Sequence, residues 1–377
     1  MSVFDESVAL HEKFHGKIEL TTKVPLENMH DLSLAYTPGV AQVCREIAAD
    51  PEKAYVLTPK SNLVAVVSDG SAILGLGNLG AAAAIPVMEG KAALFKKFAE
   101  IDAFPICLDT QNVDEIVETV VHIAPVFGGI NLEDISAPRC FEVERRLKAL
   151  LQIPVMHDDQ HGTATVVLAA LINALTLRDI TAAETRVVIS GAGAAGTAIA
   201  ELLLAYGVQN IIVCDSKGII SIDRTDLNEE KISLAKITNA EKLSGGLAEA
   251  LRGAHVFIGV SAAGALSASL IPTMAERPII MAMANPVPEI MPDEALAAGA
   301  FIVATGRSDF PNQINNVLAF PGIFRGALDH RVRDITNAML VQAAKNIAAC
   351  VANPTTEEII PSAFDMSVVP AVAIAIK

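Results

Sequence analysis

Arg186-Val-Val-Ile-Ser190, followed at once by Gly191-Ala192-Gly193-Ala194-Ala195-Gly196, is the stretch that decides the fold. A β-branched apolar run of this length reads as a buried strand, and the glycine turn opens an Ala-rich helical pattern that continues to Tyr206. The next apolar run, Ile211 to Cys214, ends at Asp215, nineteen residues after Gly196. Strand, glycine turn, helix and a strand ending in an acid are the parts of a dinucleotide-binding unit. The glycines allow a tight turn and a close approach of backbone to pyrophosphate, while free N–H groups and the helix dipole offset the phosphate charge. Asp215 is then placed to accept hydrogen bonds from the adenosine ribose. A carboxylate there favours NAD over NADP, whose 2'-phosphate it would repel, but Lys217 can compensate, so both coenzymes stay open. The plain alternative, a Gly/Ala turn made only for helix packing, explains the flanking strand and helix less well.

Outward from this unit the same rhythm recurs. Downstream, Val256 to Ile258, Ile279 to Met283 and Phe301 to Ala304 read as further strands; upstream, Leu63 to Val67, Phe104 to Leu108, Val126 to Ile130 and Pro154 to Met156 do, with helical patterns between them. The expectation is an α/β chain in two parts, an N-terminal α/β domain and a C-terminal Rossmann-type domain with a parallel sheet. Thr163 to Leu177 has helical periodicity and joins them, so the boundary is set near Gln160, giving domains 1–160 and 161–377, with the last helices packing back on the N-terminal half.

The gross composition agrees. A chain of 377 residues exceeds one ordinary domain. Its mean hydropathy of +0.44, with 52% hydrophobic and only 4% aromatic residues, suits helices packed over parallel strands. A net charge of -15 and a pI near 5.0 argue against binding nucleic acid or an anionic membrane surface and leave a small-molecule substrate. Five widely spaced cysteines fit neither a disulfide framework nor a paired zinc pattern, and the acidic N-terminus lacks the layout of a secretory signal. Each apolar stretch is broken by Gly, Pro or charge before the length that spans a bilayer, so a cytoplasmic protein without a membrane span is expected.

Two acidic pairs carry the chemistry: Glu133-Asp134 after one apolar run and Asp158-Asp159 after the next. Carboxyl ends of parallel strands are where α/β proteins bind ligands, and four carboxylates there repel one another unless protons or a cation neutralise them. All-oxygen donors select a hard cation, Mg2+ or Mn2+. The bland reading of Asp158 and Asp159 is helix capping, which explains one Asp better than two. His157 and His161 lack the internal Glu and the paired Cys of common zinc motifs.

Taken with these pairs, Ser33-Leu-Ala-Tyr36-Thr-Pro-Gly-Val40, Ser68-Asp-Gly70, Leu74-Gly-Leu-Gly-Asn-Leu-Gly80, Val87-Met-Glu-Gly-Lys91, Ala284-Asn285-Pro286, Asn315-Asn316 and Phe320-Pro-Gly322 resemble malic enzymes of the short bacterial type. The resemblance runs in order from about Tyr36 to Arg325. It implies an N-terminal substrate and catalytic domain, oxidative decarboxylation of L-malate to pyruvate and CO2 with reduction of NAD or NADP, a divalent metal, and a homodimer. It places the metal at Glu133, Asp134 and Asp159, the general base at Lys91, the general acid at Tyr36 and support for Lys91 at Asp158. Asn285 and Asn315 match positions that contact substrate, and the loop Gly191 to Gly196 carries the coenzyme. Alone, Lys91 in Gly90-Lys-Ala-Ala-Leu-Phe-Lys-Lys97 reads as a surface-helix lysine and Tyr36 as packing under a turn; order and company favour the catalytic reading.

One departure stands out. Larger malic enzymes carry an Arg where this chain has Ala72, so the group that grips the malate carboxylate is unassigned, with Lys60 and Arg139 as basic residues that could enter from elsewhere. Other readings of the same residues are a malolactic-type enzyme, a dehydrogenase for another 2-hydroxy acid, or a catalytically silent nucleotide sensor.

Overall fold

The computed structural model describes residues 3–377. Leu63–Ser68 (β1), Asp102–Cys107 (β2), Gly129–Leu132 (β3) and Val155–His157 (β4) form an all-parallel sheet in the order β2-β1-β3-β4. A second sheet takes Arg186–Ser190 (β5), Asn210–Asp215 (β6), Gly218–Ile219 (β7), Val256–Gly259 (β8), Ile279–Ala282 (β9) and Ile302–Thr305 (β10) in the order β10-β9-β8-β5-β6-β7. All its pairs are parallel except β6 with β7. The glycine-loop strand β5 is flanked by β6 and β8, so the strand order reverses beside it, as in a Rossmann sheet. The outer place beyond β6 is filled by the two-residue antiparallel β7, which the sequence reading did not foresee.

Strand alternation builds the layers. On β1, Val64 and Val66 face one core while Ala65 and Val67 face another; on β5, Val187 and Ile189 are parted from Val188 in the same way. The faces of Val64 and of Val187 belong to one continuous core, so the two sheets share their packing. Through that core runs the helix Asp158–Arg178. By length and composition alone it could cross a membrane, but 72% of its apolar window is buried inside the protein, which makes it a core helix. It begins earlier than the periodicity suggested and passes Gln160 without a break. The helix Phe320–Asp329 lies across the helix Ala81–Ala99, with Phe95 edge-on to Phe320 at 4.8 Å and to Phe324 at 5.4 Å between ring centroids.

One strand differs from expectation. Ala124–Val126 is a 3-10 turn, not strand, because Pro125 fixes φ and offers no N–H to a ladder. The strand starts at Gly129 instead, which puts Glu133 directly after its last residue.

Before β1 the chain is unlike the rest. No residue from Val3 to Leu63 is buried. The helices Met29–Ala35 and Val40–Ala49 form a hairpin, and among the described residues the hydrogen bonds and ion pairs of residues 24–50 close within residues 24–53. All five cysteines are free thiols.

Candidate active site

Parallel pairing of β3 with β4 sets Leu132 beside His157, so the two acidic pairs leave the sheet at the same level. Neither Asp158 nor Asp159 is the cap of the helix they open: His157 holds that position, and both acids lie in the first turn. Ligand oxygens of Glu133, Asp134 and Asp159 all lie within 4.8 Å of one another. Asp134 sits in the left-handed region at φ 53°, a conformation that Asp tolerates better than most residues, and its backbone N–H donates to Asp159 Oδ2 at 2.9 Å. Asn131 Nδ2 donates to Glu133 Oε2 at 2.9 Å. Asp134 Oδ2 and Asp158 Oδ1 are buried and find no partner among the described residues.

Lys91 is the counter-charge. It stands in the middle of the helix Ala81–Ala99, buried on the face turned to the sheet rather than on a surface helix. Its Nζ lies 2.5 Å from Asp158 Oδ2, 3.0 Å from Glu133 Oε1 and 4.1 Å from the centre of the Phe320 ring. Burial alone would lower its pKa, but Asp158 and Glu133 outweigh that and hold it above the ordinary amine value. One ammonium does not balance four carboxylates. Burial, with mutual repulsion added, pushes Glu133 up to about 7, Asp134 to about 8 and Asp159 to about 6, and burial with repulsion from Glu133 pushes Asp158 to about 7. A convergent, all-oxygen, proton-retaining cluster with an orphaned buried oxygen fits a hard divalent cation.

A buried carboxylate that sequence reading passed over steadies this corner. Glu144 accepts from the His157 backbone N–H and pairs with His161 Nε2, both at 3.0 Å. Burial would raise its pKa, yet the interaction with His161 prevails and holds it near 2.

Across the cleft, a cavity of about 780 Å3 is lined by Gly191, Gly193, Asp215, Lys217 and Lys231 on one side and by Pro138 on the other. Gly191 has φ +119°, and a Cβ on Gly196 would meet the Gly191 carbonyl oxygen at 1.8 Å, so the turn needs glycine at both places. The helix Ala194–Tyr206 starts after Gly193 with no side-chain cap, leaving its first N–H groups for a ligand. The cradle fits a dinucleotide.

Profiles described as "Malic enzyme, N-terminal domain" and "Malic enzyme, NAD binding domain" match residues 15–148 and 160–377. The chain belongs to the malic enzyme family. It is 55% identical to the bifunctional malic/malolactic enzyme of Bacillus subtilis, over 100% of this chain and 92% of that one. It is 55% identical to the NADP-dependent malic enzyme of Rhizobium meliloti, over 88% of this chain and 44% of that longer one. The crystal structure of the NAD-dependent malic enzyme of Thermotoga maritima superposes with a TM-score of 0.96 at 53% identity, over 98% of both chains.

Against the expectations for a malic enzyme, the remaining residues divide. Asn285 lies where the two halves meet, since a Cβ on Gly75 would touch its carbonyl oxygen at 2.6 Å. Asn315 spends its side chain accepting from the Val317 N–H, whereas its neighbour Asn316 donates to Asp158 Oδ2 at 2.6 Å. Asp215 already has donors on both oxygens: Arg224 at 2.8 and 3.2 Å, Lys231 at 2.6 Å and the Lys217 N–H at 2.9 Å. Lys217 reaches Asp226 instead of the Asp215 carboxylate. Lys60 points its ammonium at the carbonyls of Pro125 and Phe127, and Arg139 is held by Asp69 at 3.2 Å. Glu289, fully buried, accepts from the N–H groups of Ser261 and Ala284 and ties the loop after β8 to the loop that carries Asn285. Tyr36 stands apart, 66% exposed on the hairpin, its hydroxyl without a hydrogen bond among the described residues.

Proposed function

We infer that this chain oxidises L-malate to pyruvate and CO2 with NAD or NADP as acceptor, in a cleft between domains 1–160 and 161–377. The observation that carries the reading is the meeting of Glu133, Asp134 and Asp159 within 4.8 Å, beside a buried Lys91–Asp158 pair and facing a dinucleotide cradle. In that reading Glu133, Asp134 and Asp159 hold Mg2+ or Mn2+, and Gly191 to Gly196 with Asp215 hold the coenzyme. The bound cation supplies polarisation of the C2 hydroxyl and its neighbouring carboxylate, and the nicotinamide supplies the hydride acceptor.

The protein's own groups handle protons. Lys91 takes the C2 hydroxyl proton, for which its amine must be neutral. As found, three nearby carboxylates hold it charged; placing positive charge among them withdraws that support and brings the amine toward the neutral form. Asp158, which also accepts from Asn316, holds Nζ in place. Tyr36 returns a proton to C3 after CO2 departs. Asn285 and Asn315 are proposed substrate contacts, supported by their place on the loops that face Gly75 and open the 3-10 turn Asn316–Leu318. A homodimer is proposed as the working unit, supported by the unburied apolar N-terminal segment, and the cytoplasm as its compartment, supported by the free thiols.

The test is a steady-state assay with L-malate, each nicotinamide, and Mn2+ present or chelated. Pyruvate and reduced coenzyme should appear in equal amounts and vanish on chelation. The Bacillus subtilis relative, named for both malic and malolactic activity, favours a second reading in which lactate is released with no net reduction; lactate without NAD(P)H would select it.

A further inference from the structure

Far from the acidic cluster in sequence, one more acidic side chain is sealed from water: Glu289 is as fully buried as Asp158. Its hydrogen-bond partners among the described residues are all neutral. Oε1 accepts from the Ser261 N–H at 2.8 Å and the Ser261 hydroxyl at 3.3 Å, and Oε2 accepts from the Ala284 N–H at 3.0 Å. Taking a carboxyl group out of water is costly, and an apolar side chain of similar size would fill the space without that cost. What the apolar side chain lacks is a rigid group with two acceptors, one for each loop. The end of β8 makes room for it, since a Cβ on Gly259 would lie 2.7 Å from both carboxyl oxygens.

The two loops face different ligands. Ser261 lines the coenzyme cavity, and its hydroxyl lies 3.1 Å from that of Ser190, the last residue of β5 before the glycine turn. Val260 closes on the same turn: its N–H donates to the Ser190 carbonyl at 2.9 Å, and a Cβ on Gly191 would meet its carbonyl oxygen at 2.4 Å. Ala284 leads into Asn285, which abuts Gly75 where the two halves meet. Two backbone bonds tie the same segments again, from the Gly264 N–H to the Pro288 carbonyl at 3.2 Å and from the Leu266 N–H to the Glu289 carbonyl at 3.1 Å. An unbroken chain of bonds therefore runs from the glycine turn through Ser190, Ser261 and Glu289 to Ala284. The two carboxyl oxygens cannot move apart, so a displacement of one loop is handed to the other.

We propose that Glu289 is a positioning residue that couples the two ligands: coenzyme on the glycine loop fixes Ser261, and Glu289 passes that setting to the loop of Ala284 and Asn285, so malate binds the coenzyme complex more tightly than the free protein. The proposal rests on the malate reading and extends it to the order in which the ligands bind. Coupling of this kind is reciprocal, so malate tightens the hold on coenzyme by the same factor.

A dead-end complex measures the coupling. Reduced coenzyme cannot accept a hydride, so L-malate can be titrated calorimetrically into Mn2+-loaded protein, with and without NADH or NADPH, and no turnover occurs. In the wild type the reduced coenzyme should lower the malate Kd on the order of 10-fold. Glu289→Gln turns an amide N–H toward a loop N–H and should cut that factor below about 2, while the Kd of each ligand alone stays within about threefold of wild type. Gly259→Ala keeps every donor and acceptor but displaces the carboxyl group with its Cβ, and should show the same loss. A folded variant of either kind that melts lower yet keeps the wild-type factor has lost only a structural bond and overturns the proposal, as does a wild-type malate Kd that reduced coenzyme leaves unchanged. Amide exchange needs no variant: coenzyme alone should slow exchange at both Ser261 and Ala284, and slowing at Ser261 without Ala284 overturns the proposal. Failure of the malate reading shows separately, as absence of pyruvate from the wild-type protein.

Discussion

Gly162→Ala is the sharpest single test of the site geometry, because two effects of one methyl group pull in opposite directions. Gly162 lies in the first turns of the helix Asp158–Arg178, where Ala is the better helix former by about 1 kcal/mol, so helix propensity alone favours the change. A Cβ there would lie 1.8 Å from Asp158 Oδ1, against a limit near 3.0 Å, so the carboxylate must withdraw by more than an ångström. The helix backbone cannot yield, so the side chain turns. Turning it breaks the 2.5 Å contact with Lys91 and the 2.6 Å bond from Asn316, which both end on Asp158 Oδ2. Misplacing a catalytic group by about 1 Å typically costs on the order of 100-fold in rate. The expected variant therefore stays folded but melts lower, because the broken pair is buried, binds coenzyme normally by calorimetry and turns over malate about 100 times more slowly. Turnover within a few-fold of wild type, with the fold intact, would refute the claim that Asp158 holds Lys91 in place.

Manganese binding to the metal-free protein at pH 7 should release protons, since Glu133 near 7 and Asp134 near 8 are partly protonated there; calorimetric heats identical in buffers of different ionisation enthalpy would contradict this. For stability the sign follows from raised carboxylate values: Asp134 holds its proton more tightly folded than unfolded, so metal-free protein should lose stability as pH rises from about 4 to about 8, and added Mn2+ should restore it. A melting temperature that climbs across that window without metal would count against the cluster. Glu144 shows the opposite sign: held near 2, it should contribute stability above its unfolded value and lose it as pH falls through the folded one, so Glu144→Gln should flatten the acid limb of the melting profile. Phe95→Ala removes the ring that meets both Phe320 and Phe324 and should cost roughly 3 to 5 kcal/mol in denaturant unfolding; a cost under 1 kcal/mol would mean that this contact is not tight.

What could be read from the sequence was local. The β5 run, the glycine turn and the helix to Tyr206 lie where the apolar periodicity put them, and the two acidic pairs follow their strands because parallel strands end at one level. Val126 closes a turn instead of opening a strand because Pro125 sits in the first positions of that turn, a local signal masked in the sequence by the apolar run around it. The partners of the site were hidden for a different reason. Asn316 finds Asp158 across 158 positions, and Glu289 finds Ser261 across 28, contacts that no periodicity encodes. Asn315 drew attention by its place in a motif, yet the backbone claims its side chain and leaves the contact to the next residue. Arg224 and Lys231 were likewise invisible as partners of Asp215, since they converge on it only after β7 turns the chain back.

The helix Asp158–Arg178 has a consequence for motion. It is a 21-residue rod whose first turn bears Asp158 and Asp159 and whose shaft is sealed in shared packing. Bending it would tear the site as well as the core. Any breathing that admits malate or frees the spent coenzyme must therefore come from the glycine-rich rim near Leu74 and from the loops stitched by Glu289, which makes access, rather than wholesale lobe rotation, the step where this scaffold can be tuned.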